Sequence, residues 1–266
     1  MLNKFNAVFL DSLLEIKSRK IIYIYAVITA FMILLFALIP AMQIQGENLF
    51  ESDLLGAGLL DTILSHFFDG FIGFVIFLMV FGSAFLLPSY LGKGRIELTL
   101  SKPISRWQIL TMKFISIYLI HMVILLLTVF LIWLTISLRL GSFSWSILFG
   151  TFFSFVHFLF IYAFVFAIGA LTRSGALAIM GYFAVRFAAN LLESREIAYQ
   201  FLGDTVWTSI LDWMYYLFPK YGEVGNNFLS LMRGDGFVNF FSIYTTFIFS
   251  AVLYGLTLYI FSRRDY

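Results

Sequence analysis

The chain has 266 residues, of which 61% are hydrophobic, 20% aromatic and only 12% charged, with a formal net charge of +2. Soluble domains run near half apolar and about a quarter charged, so this composition excludes a soluble globule and implies a polytopic, all-α membrane protein. The absence of cysteine excludes disulfide frameworks, thiol catalysis and cysteine-ligated metals.

Residues 1–20 place Phe5, Phe9, Leu13 and Ile16 three or four apart, with Asp11, Glu15 and Arg19 elsewhere around the wheel. That pattern predicts an interfacial helix ending in the basic cluster Lys17, Arg19 and Lys20. Acids interrupt its apolar residues and no small-residue cleavage site follows, so it does not read as a cleavable signal. Apolar spans are predicted at 21–42, 71–91, 109–138, 147–171, 176–192 and 237–261, each of the length that crosses a bilayer. Six spans put both termini on one side. All Lys and Arg residues except Arg139, Arg186, Arg195, Lys220 and Arg233 fall on that side. The positive-inside rule then makes both termini cytoplasmic and the protein a multi-pass component of the inner membrane.

The first outside loop, 43–70, alternates Glu47, Glu51, Asp53, Asp61 and Asp69 with leucines and other apolar residues. It predicts one or two short amphipathic helices on the outer leaflet or on a partner. The acids and His66 lack compact ligand spacing, so a solvated face is preferred to a cation site. The loop 92–108 carries Lys93, Arg95, Lys102 and Arg106 against the single acid Glu97. Its Ile96, Leu98, Leu100, Ile104 and Trp107 give it an apolar side, and Ser101 and Pro103 predict a capped helix start. The segment 193–236 is denser still in aromatics, with Trp207, Trp213, Tyr215, Tyr216 and Phe218 before a break at Pro219. Trp and Tyr at that density mark the headgroup level, and interfacial or re-entrant helices are expected. The chain has no internal repeat and reads as one domain, 1–266.

No phosphate loop of the GxxxxGK[ST] type is present, so the chain does not bind ATP by that route. None of the 15 acids lies clearly at mid-span, which disfavours an ion-coupled carrier. HExxH and GxSG settings are missing too, and neither catalytic nor metal residues are expected. His121 and His157 lie within spans three and four, where a hydrogen bond to backbone or to Ser116 or Ser154 accounts for them better than a relay. Arg186, on one face with Asn190, is expected to snorkel outward.

Gly94, Ile96 to Leu98, Leu100 to Arg106, Ile109, Leu110 and Lys113 resemble the signature loop of ABC-2 type transporter permeases. That loop reads as a Glu-Arg-Gly-Thr-like run, a leucine-rich step, then Ser-Lys-Pro-(Val/Ile)-Ser-Arg and a later lysine. Gly92 and Lys93 stand here where the family places an acid before the glycine. The resemblance implies that 92–108 is a coupling helix docking on a separate ATPase subunit, which binds the ATP and Mg; this chain needs no cofactor of its own. Its contact residues would be Arg95, Glu97, Leu98, Lys102, Pro103, Ile104, Arg106 and Trp107. The resemblance also implies an N-terminal elbow helix carrying Glu15, Lys17 and Arg19, and a dimer of two permeases in lipid. External helices around Trp207, Trp213 and Pro219 would cap the path or touch a partner. Length and loop sizes look most like the permeases grouped with multicopper-enzyme maturation, which implies an extracytoplasmic protein partner for the acidic loop 43–70. Nucleic acid is not an expected partner. Two readings stand beside export: a scaffold passing ATP-driven motion to an outside protein without moving a substrate, and, less favoured, an ion-coupled carrier.

Overall fold

A computed structural model describes residues 2–38, 43–44, 47–48, 57–92, 104–140, 143, 145–203, 205–233 and 239–263. Its order is α1 (Leu2–Ser18), α2 (Ile21–Leu38), β1 (Gln43–Ile44), β2 (Glu47–Asn48), α3 (Ala57–Ala84), α4 (Leu86–Tyr90), α5 (Arg106–Leu140), α6 (Ser146–Thr172) and α7 (Gly175–Glu193). Then come α8 (Arg195–Leu202), α9 (Val206–Leu217), α10 (Tyr221–Arg233) and α11 (Phe240–Arg263). Five helices are long and apolar enough to cross a membrane. The bent pair α1 and α2, which meet at 63°, meets the same measure of length and apolarity only when the two are taken together, making up to six spans. That bend sits at Lys20, whose φ of 60° is left-handed, a turn that no continuous α-helix accommodates.

The protein is thus an all-α, multi-pass membrane protein, apart from a two-residue antiparallel pairing of β1 with β2. Two expectations change in detail. The second half of the loop 43–70 is no separate short helix, because α3 starts at Ala57 and runs unbroken into the second span. Nor does a helix run on from Pro103: Ile104 and Ser105 are non-helical and α5 begins at Arg106. Ser105 precedes it as the cap. Its N–H donates to Gln108 Oε1 at 3.3 Å and its carbonyl accepts from Ile109 N–H at 3.1 Å, half of a Ser-x-x-Gln capping box. The Ser101–Pro103 start lies outside the described residues.

α6 is the hub, packing against α10, α11, α7, α3, α5 and α4. Phe158, Phe160, Ile161, Tyr162, Val165 and Phe166 are all buried, and apolar residues around the full circumference are what a central helix needs. Lipid is as apolar as these side chains, so burial here stabilises through packing and interhelical hydrogen bonds rather than water exclusion. Thr29 meets Thr128 at 3.0 Å, the Tyr118 hydroxyl donates to Phe155 O at 3.0 Å, and Tyr254 donates to Thr111 Oγ1 at 3.1 Å. These tie α2 to α5, α5 to α6 and α11 to α5. Each such bond contributes about 0.6 kcal/mol.

Two devices shape the ends of the spans. Pro88 lacks the N–H that would continue α3, so the helix breaks at Phe85 and restarts as α4. Between α6 and α7 the turn is only Arg173 and Ser174: Arg173 takes φ 56° and closes α6 on Gly169 O, and the Ser174 side chain accepts from Leu177 N–H. The two devices meet at Gly175, where a Cβ would lie 2.4 Å from the Phe85 ring. Gly175→Val is therefore expected to lower stability by about 1–3 kcal/mol, read as a drop in unfolding temperature. Adding Phe85→Ala should recover most of that loss.

Candidate functional site

The end of the bundle holding α1 is called here the near end. There the chain leaves α4 at Tyr90, passes through 93–103 and returns at Ile104. Of the expected loop contacts, Arg95, Glu97, Leu98, Lys102 and Pro103 lie outside the described residues. Ile104 is half-buried, packed against the hydrophobic core. Arg106 is half-buried at the start of α5, and beside it Trp107 is 49% exposed. A large indole left this open at a helix start is a surface that a partner could cover.

The two ends of the loop are held by one residue of α1. Glu15 is buried, with a side chain 7% exposed. Its Oε1 accepts from the Ser89 hydroxyl, just before the loop. Its Oε2 lies 3.3 Å from Lys113 Nζ, just after the loop. Lys113, itself fully buried, also donates to Asp11 Oδ2 at 3.0 Å and stands over the Tyr90 ring at 4.5 Å. Arg19 Nε completes the cluster, 3.6 Å from Glu15 Oε1. Burying an ammonium unpaired costs several kcal/mol. Two carboxylates and an aromatic face offset that cost, and the four charges sum to zero.

The expected apolar face of α1 packs inward, with Ile16 in the core and Phe9 and Leu13 against it, and the buried face extends further round to Glu15. Ile16 and Ser12 are fully buried beside Glu15, whereas Leu10 and Leu14 are 56% and 64% exposed. Glu15 faces a cation inside the protein rather than water, and half-exposed Asp11 pairs with the same cation from the rim. Lys17 is exposed and Arg19 exposed but paired. The expected elbow residues did not include Lys113, Asp11, Ser89 or Tyr90. One signal was available: a lysine between Met112 and Phe114 at the start of a span needs a partner, and Asp11 and Glu15 sit one helical turn apart.

At the opposite, far end, α9 and α10 form a hairpin whose tip is Pro219–Lys220. Lys220 N–H donates to Thr246 Oγ1 at 2.9 Å, and Tyr221 stacks near His157, rings 6.4 Å apart. Thr246 is six residues into α11, roughly 9 Å along it, so the tip is seated below the far ends of α6 and α11. Buried Lys220 donates to Thr245 Oγ1 at 3.2 Å and stands 4.3 Å over the Tyr215 ring. Burial pushes its pKa down, and Glu223 opposes that. Tyr215 is pushed up to about 12, by burial and by its bond to the Glu223 carboxylate. Arg195 stacks on the other part of this network, 3.5 Å over Tyr215 and 3.3 Å from Asp212. Asn227 clasps Asn239, accepting its N–H at 2.9 Å and donating to its carbonyl at 2.8 Å.

The three residues expected at this end are not brought together. Pro219 is buried at the tip, while Trp207 and Trp213 are 66% and 72% exposed on α9. His121 bonds the carbonyl of Ile117 at 2.8 Å and packs on Phe158, whereas the Ser116 and Ser154 hydroxyls have no hydrogen-bond partner among the described residues. No group of three metal-ligating side chains occurs among the described residues. The arrangement at the near end ties both ends of the loop to α1 through Glu15.

A family model described as "ABC-2 family transporter protein" matches residues 11–266. None of the curated proteins matches the chain, and none of the solved structures does.

Proposed function

The chain belongs to the ABC-2 family of transporter proteins, as a transmembrane subunit of an ABC transporter, and from that premise we propose that its near end receives a separate ATPase. The loop 92–108 is the docking element, with Arg95, Glu97, Leu98, Lys102, Pro103, Ile104, Arg106 and Trp107 as its contacts. ATP and Mg are held by the ATPase, and this chain performs no catalysis itself. The near end is cytoplasmic. Two copies of the chain assemble with two ATPases, and export, or work on an extracytoplasmic protein, occurs at the far end through the α9–α10 hairpin with Trp207, Trp213 and Pro219.

The observation that supports this reading is the double attachment of the loop to Glu15. A push on the loop moves Ser89 and Lys113 together, so it reaches α4, α5 and α1 as one displacement rather than being absorbed by a slack connection. α1 continues through the Lys20 bend into α2, and α5 packs against α2 and α6. The far hairpin is gripped by α6 and α11, which closes a continuous packed route from end to end. Differential contact energy with the nucleotide-bound and nucleotide-free ATPase is what such a route needs in order to transmit a change.

The experiment is co-purification with the ATPase subunit. Arg106→Glu reverses a charge at the loop root, and Trp107→Ala removes an exposed aromatic anchor of the kind whose loss costs about 2–4 kcal/mol at interfaces. Both variants are expected to release the ATPase and abolish its stimulation by this chain, and Trp107→Ala should do so with the unfolding temperature unchanged. Full retention in both would refute the docking surface.

A further inference from the structure

α2 and α3 both pack against α5 but scarcely against each other. Between them lies a cleft of about 250 Å³. At its near-end mouth stands Arg19, followed by Ile21 at the start of α2; Ile24 on α2 and Leu78 and Phe81 on α3 supply apolar walls. Gly82 opens one side, since a Cβ there would lie 3.3 Å from both His121 Nε2 and Ile21. Tyr25 also lines the cleft. It is 3% exposed, and its hydroxyl is buried without a hydrogen-bond partner among the described residues, as is His121 Nε2. Buried polar groups of this kind are rare and call for a ligand or water.

We infer that this cleft is a binding site for an anionic glycerophospholipid of the leaflet at the near end. The chemistry runs in the order in which such a lipid is built. At the mouth, the first N–H groups of α2 have no partner within the helix and favour an anion. Arg19 directs its Nε to Glu15 but has further guanidinium donors, and exposed Lys17 and Lys20 flank it. Four residues further along α2, roughly 6 Å deeper, the unpartnered Tyr25 hydroxyl meets the level of the ester carbonyls, which accept hydrogen bonds. The apolar walls then carry an acyl chain. A free phosphate would satisfy the mouth but leave these walls bare, and a zwitterionic lipid would set a second cation against three basic residues. The site needs only the membrane insertion of the chain, not the docking of an ATPase.

The test is native mass spectrometry of the purified full-length chain after exposure to an equimolar mixture of phosphatidylglycerol and phosphatidylcholine. Each basic residue near an anionic headgroup contributes about 1 kcal/mol, so phosphatidylglycerol is expected to be retained over phosphatidylcholine by about fivefold or more. Gly82→Leu, which fills the cleft, should abolish retention, and Arg19→Gln should abolish the preference. Gly82→Leu keeps the test independent of Arg19, which also serves the Glu15 joint. Equal retention of the two lipids overturns the site, as does undiminished retention in a folded Gly82→Leu variant. A lipid-free dimer that Gly82→Leu splits into monomers would also overturn it, assigning the cleft to a second copy.

Discussion

Lys113→Met is expected to destabilise the joint between α1 and α5 by roughly 3–5 kcal/mol, the cost of leaving a buried partner charge uncompensated. Glu15 would keep Arg19 and Ser89 but lose the ammonium facing Oε2. Asp11, 41% exposed on its side chain, can rehydrate and adds little. Glu15→Gln alone should cost less, because Lys113 retains Asp11 at 3.0 Å and the Tyr90 ring. The double variant Glu15→Gln/Lys113→Met removes the charge pair as a unit, and it should recover a large part of the single Lys113→Met loss. Unfolding in detergent measures the stability side. ATP turnover of the assembled complex measures the transmission side, where both single variants should lose coupling while still binding the ATPase. Strict additivity of the two substitutions would show that the pair does not act together, and the joint would lose its role in transmission.

Asn227→Leu is the second large effect, at the other end of the molecule. Asn227 is 1% exposed and bonds both backbone groups of Asn239, with Ser242 Oγ at 3.1 Å as a further acceptor. Leucine fills a similar volume but leaves the Asn239 N–H without that partner, at about 1–3 kcal/mol, while the carbonyl keeps only the Ser242 hydroxyl at 3.0 Å. Glu223 holds Asn239 by its side chain only, at 3.2 Å, and cannot replace the lost backbone bonds. The hairpin should therefore detach more readily from α11. Hydrogen exchange within 221–233 should accelerate about tenfold or more, with little change in α5 or α6. Trp207→Ala, on the exposed face of α9, should leave exchange in 221–233 as it was. Unchanged protection in Asn227→Leu would mean that the Pro219–Lys220 tip alone seats the hairpin.

The spans were legible because hydrophobicity along a chain is a local property. Residues 109–138 and 176–192 cannot stay in water, whatever else the chain does, and the helices α5 and α7 contain them. The tight turn at Arg173–Ser174 takes its backbone geometry from a left-handed arginine and a serine cap, while Gly175 is needed for the approach of Phe85. The third span, expected from residue 109, begins at Arg106, because Ser105 caps it and Gln108 bonds back to Ser105.

What the amino-acid sequence determined by itself is therefore a set of apolar segments, their approximate ends and a basic loop between the second and third. These follow from transfer energies and capping chemistry that each residue carries wherever it lies. Tertiary structure alone decided which charges meet. Asp11 and Glu15 read as the wet side of an amphipathic helix until α5 sets Lys113 against them, and the joining segments are far apart in the chain. It also decided that the Trp207 and Trp213 side chains point outward while Lys220 and Asn227 are enclosed, since helix orientation is set by packing against neighbours and not by composition.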